Sequence, residues 1–306
     1  MVNDSQKIIL NYLNNQCIVG VFYDMYDKNH EEVDYQIGLV SNEIQDNYLD
    51  KREAQLRIID KIKNRHMNKI KYITTDNTAR ITASGLTPVG LKKAVRQALC
   101  KGWVEVDLVA AQFAIIANLL EADEALKIVK SDKSLWTHFN EYVGRDVIDP
   151  VLKKEWKRFI YAASFGAGIP KLYNEILASP DSKKLLNMPM VIELLGKREQ
   201  FMHSIRDNGY AVDVWGNKII KVGERWEGAV LATVVQSYEV EIMSAIYEVS
   251  SQEETRRDYK IMLHLHDGLY ISFIDNEIRW IEQMRYAVRD RAEQYGITTN
   301  ILENTL

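Results

Sequence analysis

Three groups of residues combine chemistry-bearing types with a spacing that could use them. Asp107 stands near the end of the alternating segment Trp103–Leu108 (WVEVDL), just before the apolar run that begins at Ala110. A carboxylate where a strand gives way to a helix can hold a metal ion, because the end of a sheet is rigid and open. The same place also suits the N-cap of the following helix. Asp267 lies in the segment Ile261–Phe273 (IMLHLHDGLYISF), in an Asp-Gly pair between two strand-like runs. Asp-Gly is a strong hairpin signal and by itself needs no function. His264 and His266, two apart on a strand, would leave the same face, which permits an HxH metal site or plain cross-strand packing.

The third group is Lys153, Lys157, Tyr161 and Phe165, which recur every four residues in KKEWKRFIYAASFGAG. At about 100° per residue the stripe turns only ~40° per step and extends over ~18 Å of helix. Cations at one end and aromatic rings at the other suit a nucleoside triphosphate laid along the helix. The same pattern also describes an ordinary amphipathic helix.

Several elements must position these groups. The chain opens with a helix, and Cys17–Tyr26 and Val33–Val40 read as strands flanking the polar turn 27–32, a hairpin. Residues 53–71 are helical in composition and basic, and 75–90 (TDNTARITASGLTPVG) reads as loop. A helix over 91–100 precedes the strand bearing Asp107, and 110–126 reads as one apolar helix. Mostly helical sequence runs to about residue 205, then a β-ribbon over 209–222, a long helix over 226–249, the strand pair around Asp267-Gly268 and a helix over 277–295. A helix-rich insertion between short strands is an α+β arrangement.

Composition narrows the class. The chain has 306 residues and a net charge of −4, from 39 Lys and Arg against 43 Asp and Glu, which argues against a protein that coats DNA by charge alone. Basic residues still cluster at 51–71, 92–101 and 153–158. The longest apolar run, Ala229–Val235, is far short of the roughly 18 residues of a membrane span, and the polar N-terminus lacks a signal-peptide pattern. Two cysteines, Cys17 and Cys100, make no disulfide scaffold and fit a reducing cytoplasm.

The motifs together resemble the A-family (DNA polymerase I-like) polymerases. Lys153-x3-Lys157-x7-Phe165-Gly166 is similar to motif B, Asp107-Leu-Val-Ala-Ala-Gln112 to motif A, and Leu265-His266-Asp267-Gly268 to motif C, in the family's order. Thr78-Ala-Arg80-Ile-Thr82 resembles its Thr-Gly-Arg-Leu-Ser segment, and Gln236-Ser237 its Gln-Gly. The resemblance implies a right-hand polymerase: a palm with a small antiparallel sheet, helical fingers and a reduced thumb. The expected layout is an N-terminal hairpin and vestigial thumb helices over 1–75, palm over 76–125, fingers over 126–208, and palm with the C-terminal helix over 209–306.

The same resemblance implies roles. Asp107 and Asp267, with the Leu108 carbonyl, would hold two Mg²⁺ ions, with Mn²⁺ as a substitute. These would lower the pKa of the attacking 3′-hydroxyl and steady the leaving pyrophosphate. Lys153 and Lys157 would grip the triphosphate, with Lys157 nearest the leaving group. Tyr161 would pack on the incoming sugar and base, and Phe165 would sit at the templating position. Arg80, Gln236 and His266 would touch the minor groove or primer end.

The chain departs from the family pattern at several positions. Gln112 stands where DNA-polymerising members carry a Glu that blocks the ribose 2′-hydroxyl, Lys153 where Arg is usual, and Phe165 where Tyr is usual. Gly268 replaces the acidic residue that follows the motif C Asp, and His138 is a weak match to the fingers His. With 77 residues before Thr78, neither an exonuclease domain nor a full thumb is expected. A small thumb and a relaxed sugar gate are similar to the polymerase-like primases of mobile elements, notably of staphylococcal cassette chromosomes.

The expectation is a cytoplasmic primase acting on single-stranded DNA template and primer with nucleoside triphosphates. It would have no membrane role and would be aided by a small accessory protein or a replicative helicase. The rivals are a distributive gap-filling polymerase, a metal-dependent hydrolase using His264, His266 and Asp267, and a degenerate fold serving as a replication scaffold.

Overall fold

The computed structural model describes residues 2–16, 18, 20–40, 48–66, 69–76, 78–220, 226–253, 255–266 and 268–306; Cys17 and Asp267 lie outside them. In chain order the elements begin with α1 (Asp4–Asn14), α2 (Val21–Val40), α3 (Tyr48–Lys63), β1 (Tyr72–Thr75), β2 (Thr78–Ala83), α4 (Lys93–Leu99) and β3 (Val104–Leu108). A helical stretch follows: α5 (Ala111–Leu119), α6 (Asp123–Val129), α7 (Leu135–Val143), α8 (Pro150–Ser164), α9 (Ile169–Lys171), α10 (Pro180–Lys184) and α11 (Pro189–Asn208). The chain ends with β4 (Ala211–Val212), β5 (Lys218–Ile219), α12 (Trp226–Ser250), α13 (Thr255–Asp258), β6 (Tyr259–His264), β7 (Gly268–Phe273), α14 (Glu277–Glu293) and β8 (Ile301–Thr305). The α+β class expected from the sequence is the class observed.

Two compact units result, one of Met1–Val109, Val240–Val288 and Ile301–Leu306, the other of Ala110–Glu239 and Arg289–Asn300. In the first, four antiparallel strands run in the order β6-β7-β3-β8. The alternation predicted for β3 is real: Val104, Val106 and Leu108 are buried on one face, while Glu105 and Asp107 share the other. β8 was not foreseen, because a five-residue edge strand with one buried residue gives little periodic signal.

The N-terminal hairpin expected over 17–40 is not formed; 21–40 is the helix α2, kinked at Asn29. Its buried residues Phe22, Tyr26, Asn29, Val33, Ile37 and Val40 follow a spacing of three and four, and that helical stripe prevails over the β-branched and aromatic composition. The Asn29 side chain at the kink donates to the carbonyl of Leu99, the last residue of α4 (3.3 Å).

Two further expectations need correction. Part of the loop predicted over 75–90 is β2, whose Thr78, Ile81 and Thr82 pair with β1. The single helix over 110–126 is instead α5 and α6, broken where Glu121 adopts φ +51°.

The second unit is built on helices. Phe139 meets Trp156 edge-on (5.9 Å) and Phe159 at a tilt (6.4 Å), and the Trp156 indole donates to Ser182 (2.9 Å). α12, which belongs to this unit up to Glu239 and to the first from Val240, is long and apolar enough to cross a membrane, yet Val230, Leu231, Val234, Val235, Ile242 and Ile246 are buried in the protein. Its apolar composition is that of a core helix.

α1 is tied to β1 by a side chain that imitates a strand. Asn14 donates to the Tyr72 carbonyl (3.0 Å) and accepts from the Tyr72 N–H (2.9 Å). Replacing Asn14 with Ala strips both partners from a part-buried peptide group, at an expected cost of about 2 kcal/mol. The urea midpoint should fall with an unchanged m-value; an unchanged midpoint would show that water replaces the amide freely.

Candidate active site

In the first unit, Asp107 sits near the end of β3 and is half-buried. It is not the N-cap of α5: that position is Ala110, held at φ +47° with no side-chain cap. Across the sheet, Asp107 pairs with Gly268, the first residue of β7. The carboxylate lies over the Gly268 Cα, so close that a Cβ built on Gly268 would be 1.9 Å from Oδ1 and 3.1 Å from Cγ.

Two residues earlier on the same face, Glu105 is 3 % exposed, opposite Tyr270. Its carboxylate is neutralised by Lys93 (3.0 Å) and accepts from Gln97 (3.2 Å). The Arg96 guanidinium lies over the Tyr270 ring (5.5 Å), and burial, opposed by that cation, pushes the phenol's pKa up to about 12.

The turn joining β6 to β7 differs from the sequence reading. The Leu265 N–H donates to the Gly268 carbonyl (2.7 Å), and His266 adopts φ +68°. Gly268 belongs to the strand rather than to the turn. His266 lies beyond the strand, so the same-face HxH arrangement does not form. Among the described residues no group of three or more His, Cys, Asp or Glu gathers as a metal cluster.

His264 is instead a core residue, 2 % exposed, with Nδ1 2.9 Å from the Tyr247 hydroxyl and Tyr72 packed edge-on at 6.1 Å. Burial, reinforced by the nearby charges of His266 and Arg80, depresses its pKa to about 3. Arg80, half-buried on β2, and His266 are thus gathered around one buried imidazole.

The second unit holds the lysine–aromatic stripe. α8 buries Leu152, Trp156, Phe159, Ile160 and Ala163, which leaves Lys153 and Lys157 exposed and Tyr161 half-buried. Lys157 Nζ is 5.8 Å from the centre of the Tyr161 ring. Tyr161 and Gln112 line one small crevice of ≈ 30 Å³, floored by Phe113, Ile116 and Ile160. Gln236 is half-buried on α12, and the adjacent Ser237 accepts from the Val214 N–H (3.1 Å) and donates to the Val234 carbonyl (2.6 Å).

Phe165 is the C-cap of α8, half-buried at the rim of an open cleft of ≈ 930 Å³. Two residues that sequence reasoning missed hold it there. Arg198, 5 % exposed, donates to the carbonyls of Ala163 and Ala167 (2.5 and 3.0 Å), placing a cation at the negative end of the helix. Gly228 lets α12 approach so closely that a Cβ there would lie 2.5 Å from the Phe165 carbonyl oxygen. Both act through contacts distant in sequence, and neither sits in a recognisable motif. His138, the weak match to a fingers His, hydrogen-bonds Ser131 (2.8 Å).

The depressed His264 pKa has a thermodynamic consequence. Below its unfolded pKa of about 6.5, the unfolded chain takes up a proton that the folded chain refuses, so stability falls as pH falls. From pH 7 to pH 5 this one group should remove about 2 kcal/mol. Urea midpoints at the two pH values should differ by that much more in the wild type than in His264→Gln; equal differences would mean that the imidazole titrates normally.

The sequence matches no protein-family description and no curated protein sequence. The fold does find a match: the POL domain of Pol1 from M. smegmatis, solved in complex with DNA primer-template and dNTP, superimposes with a TM-score of 0.66 at 12 % identity over 85 % of this chain. This chain spans about half (51 %) of that polymerase chain. The mixed helical and antiparallel architecture is a polymerase-domain fold.

Proposed function

We propose that this chain is a template-directed nucleotidyltransferase, a primase that makes short primers on single-stranded DNA in the cytoplasm. One observation carries the reading: the residues resembling motifs A, B and C occur in polymerase order within a fold that superimposes on a polymerase domain. We assign the palm to 76–125 and 209–306, the fingers to 126–208, and supporting helices to 1–75.

The donors available fit a hard divalent cation such as Mg²⁺ or Mn²⁺. Asp107 offers a carboxylate seated in the cradle above Gly268, and the Leu108 carbonyl and Asp267 are the further oxygen ligands proposed. Bound there, two such ions would supply charge neutralisation on the transferring phosphoryl and acidity for the attacking hydroxyl.

The chain's own side chains do the rest. Lys153 and Lys157 bind the triphosphate, and Lys157 offsets the charge that builds on the leaving pyrophosphate. Tyr161 orients the incoming sugar, Phe165 stacks at the templating position, and Arg80, Gln236 and His266 hold the primer end. The shared crevice of Gln112 and Tyr161 supports a sugar gate that accepts a ribose, because a neutral amide can hydrogen-bond a 2′-hydroxyl. With a net charge of −4, firm retention of template falls to a partner, a small accessory protein or a helicase.

Nucleotide incorporation on unprimed single-stranded DNA, with labelled ribo- and deoxynucleotides, tests the reading. Asp107→Ala should cost on the order of 10³ in rate, since charge stabilisation of several kcal/mol is removed. Gln112→Glu should shift the ratio of kcat/KM values toward deoxynucleotides by roughly tenfold or more. Unchanged activity in Asp107→Ala would refute the site. Extension of supplied primers only would make the enzyme a gap-filling polymerase, and no incorporation at all would favour the scaffold.

A further inference from the structure

We propose that Gly268 is a positioning residue for Asp107, its missing side chain being the space in which the Asp107 carboxylate rests; this rests on the reading of Asp107 as a cation ligand. Three observations carry it. Gly268 is the direct cross-strand partner of Asp107, and a Cβ on it would meet Oδ1 at 1.9 Å, Cγ at 3.1 Å and the Val106 carbonyl oxygen at 3.4 Å. Real Cβ atoms essentially never approach a neighbour within 3.0 Å, so one of the two groups would have to move.

The backbone gives no other reason for glycine. Gly268 is not among the residues with positive φ; in this turn that strain falls on His266, at +68°. An alanine could adopt the same strand conformation. What it could not do is share the space with the carboxylate. Nor can the other acid on that face substitute, because Glu105 is already committed to Lys93 and Gln97.

The departure at position 268 and the placement of Asp107 are therefore one feature. Restoring an acidic residue at 268 would not add a ligand to the existing site. It would drive the Asp107 carboxylate out of its seat.

A double-mutant cycle on the full chain tests the steric coupling without reference to activity. Gly268→Ala should lower Tm more in the wild-type background than in the Asp107→Ala background, where the obstructing carboxylate is gone. If Gly268→Ala alone fails to fold while the double variant folds, the coupling is upheld. Equal Tm losses in both backgrounds, or failure of both to fold, overturn it.

A second arm measures Mn²⁺ binding by the loss of its free-ion paramagnetic resonance signal. Gly268→Glu, checked as folded by near-ultraviolet circular dichroism, should bind Mn²⁺ at least about tenfold more weakly than the wild type despite its extra carboxylate; equal or tighter binding overturns the proposal. If the Gly268→Glu chain is unfolded, the Tm cycle decides. If wild-type Mn²⁺ binding is indifferent to Asp107→Ala, the cation-ligand reading fails while the Tm cycle still reports on the seat.

Discussion

The register between β3 and β7 is the constraint on which the first unit depends. Side chains alternate along a strand, so a slip of one residue would move Asp107 to the face now occupied by Val106 and Leu108. Burial makes that slip costly: Val104, Val106 and Leu108 would enter the opposite face, and Glu105 would lose Lys93 and Gln97 inside the protein. The pairing with β8 adds a second, independent register, from Val104 opposite Thr305 to Leu108 opposite Ile301. An apolar pattern and one ion pair with a buried carboxylate thus fix an Asp107 side chain that takes no part in either.

The second unit meets the same problem with a helix. The buried stripe of α8 determines which way Lys153, Lys157 and Tyr161 face, as the β3 core determines the direction of Asp107. The helix end is the weak point, because its last carbonyls have no partner within the helix. Arg198 supplies donors to the Ala163 and Ala167 carbonyls, and Gly228 brings α12 against the Phe165 carbonyl. Both bonds come from the one nitrogen Nη1, so removing the buried guanidinium takes a donor from each carbonyl at once. The turn at Phe165-Gly166 is held from two sides by residues more than thirty positions away in sequence.

How much of this was legible in the sequence follows from the range of the forces involved. Strand β3, helix α8 and the β6–β7 pair were readable because each carries its own periodicity within a few residues. Helix α2 was readable in principle, since its stripe from Phe22 to Val40 has helical spacing, but a strand-like composition obscured it. The Asp267-Gly268 pair misled in a more instructive way. Asp-Gly signals a turn through the conformational freedom of glycine, whereas Gly268 serves through its lack of volume, and only the cross-strand neighbour reveals the difference. The His264–Tyr247 contact, the Glu105–Lys93 pair and the Arg198 clamp join elements whose proximity no local pattern encodes.

The departures from the polymerase pattern act in one direction. Gln112 and Gly268 each remove a carboxylate, while Lys153 keeps the charge of the usual arginine and gives up its bidentate geometry. Under the proposed function, fewer fixed negative charges would lessen repulsion of a polyanionic triphosphate. The Asp107 carboxylate occupies the volume that Gly268 vacates, Lys157 remains exposed beside Tyr161, and Gln112 still shares a crevice with that tyrosine. Under the proposed function, these are the groups that a nucleotidyltransferase with a permissive sugar gate would need to keep.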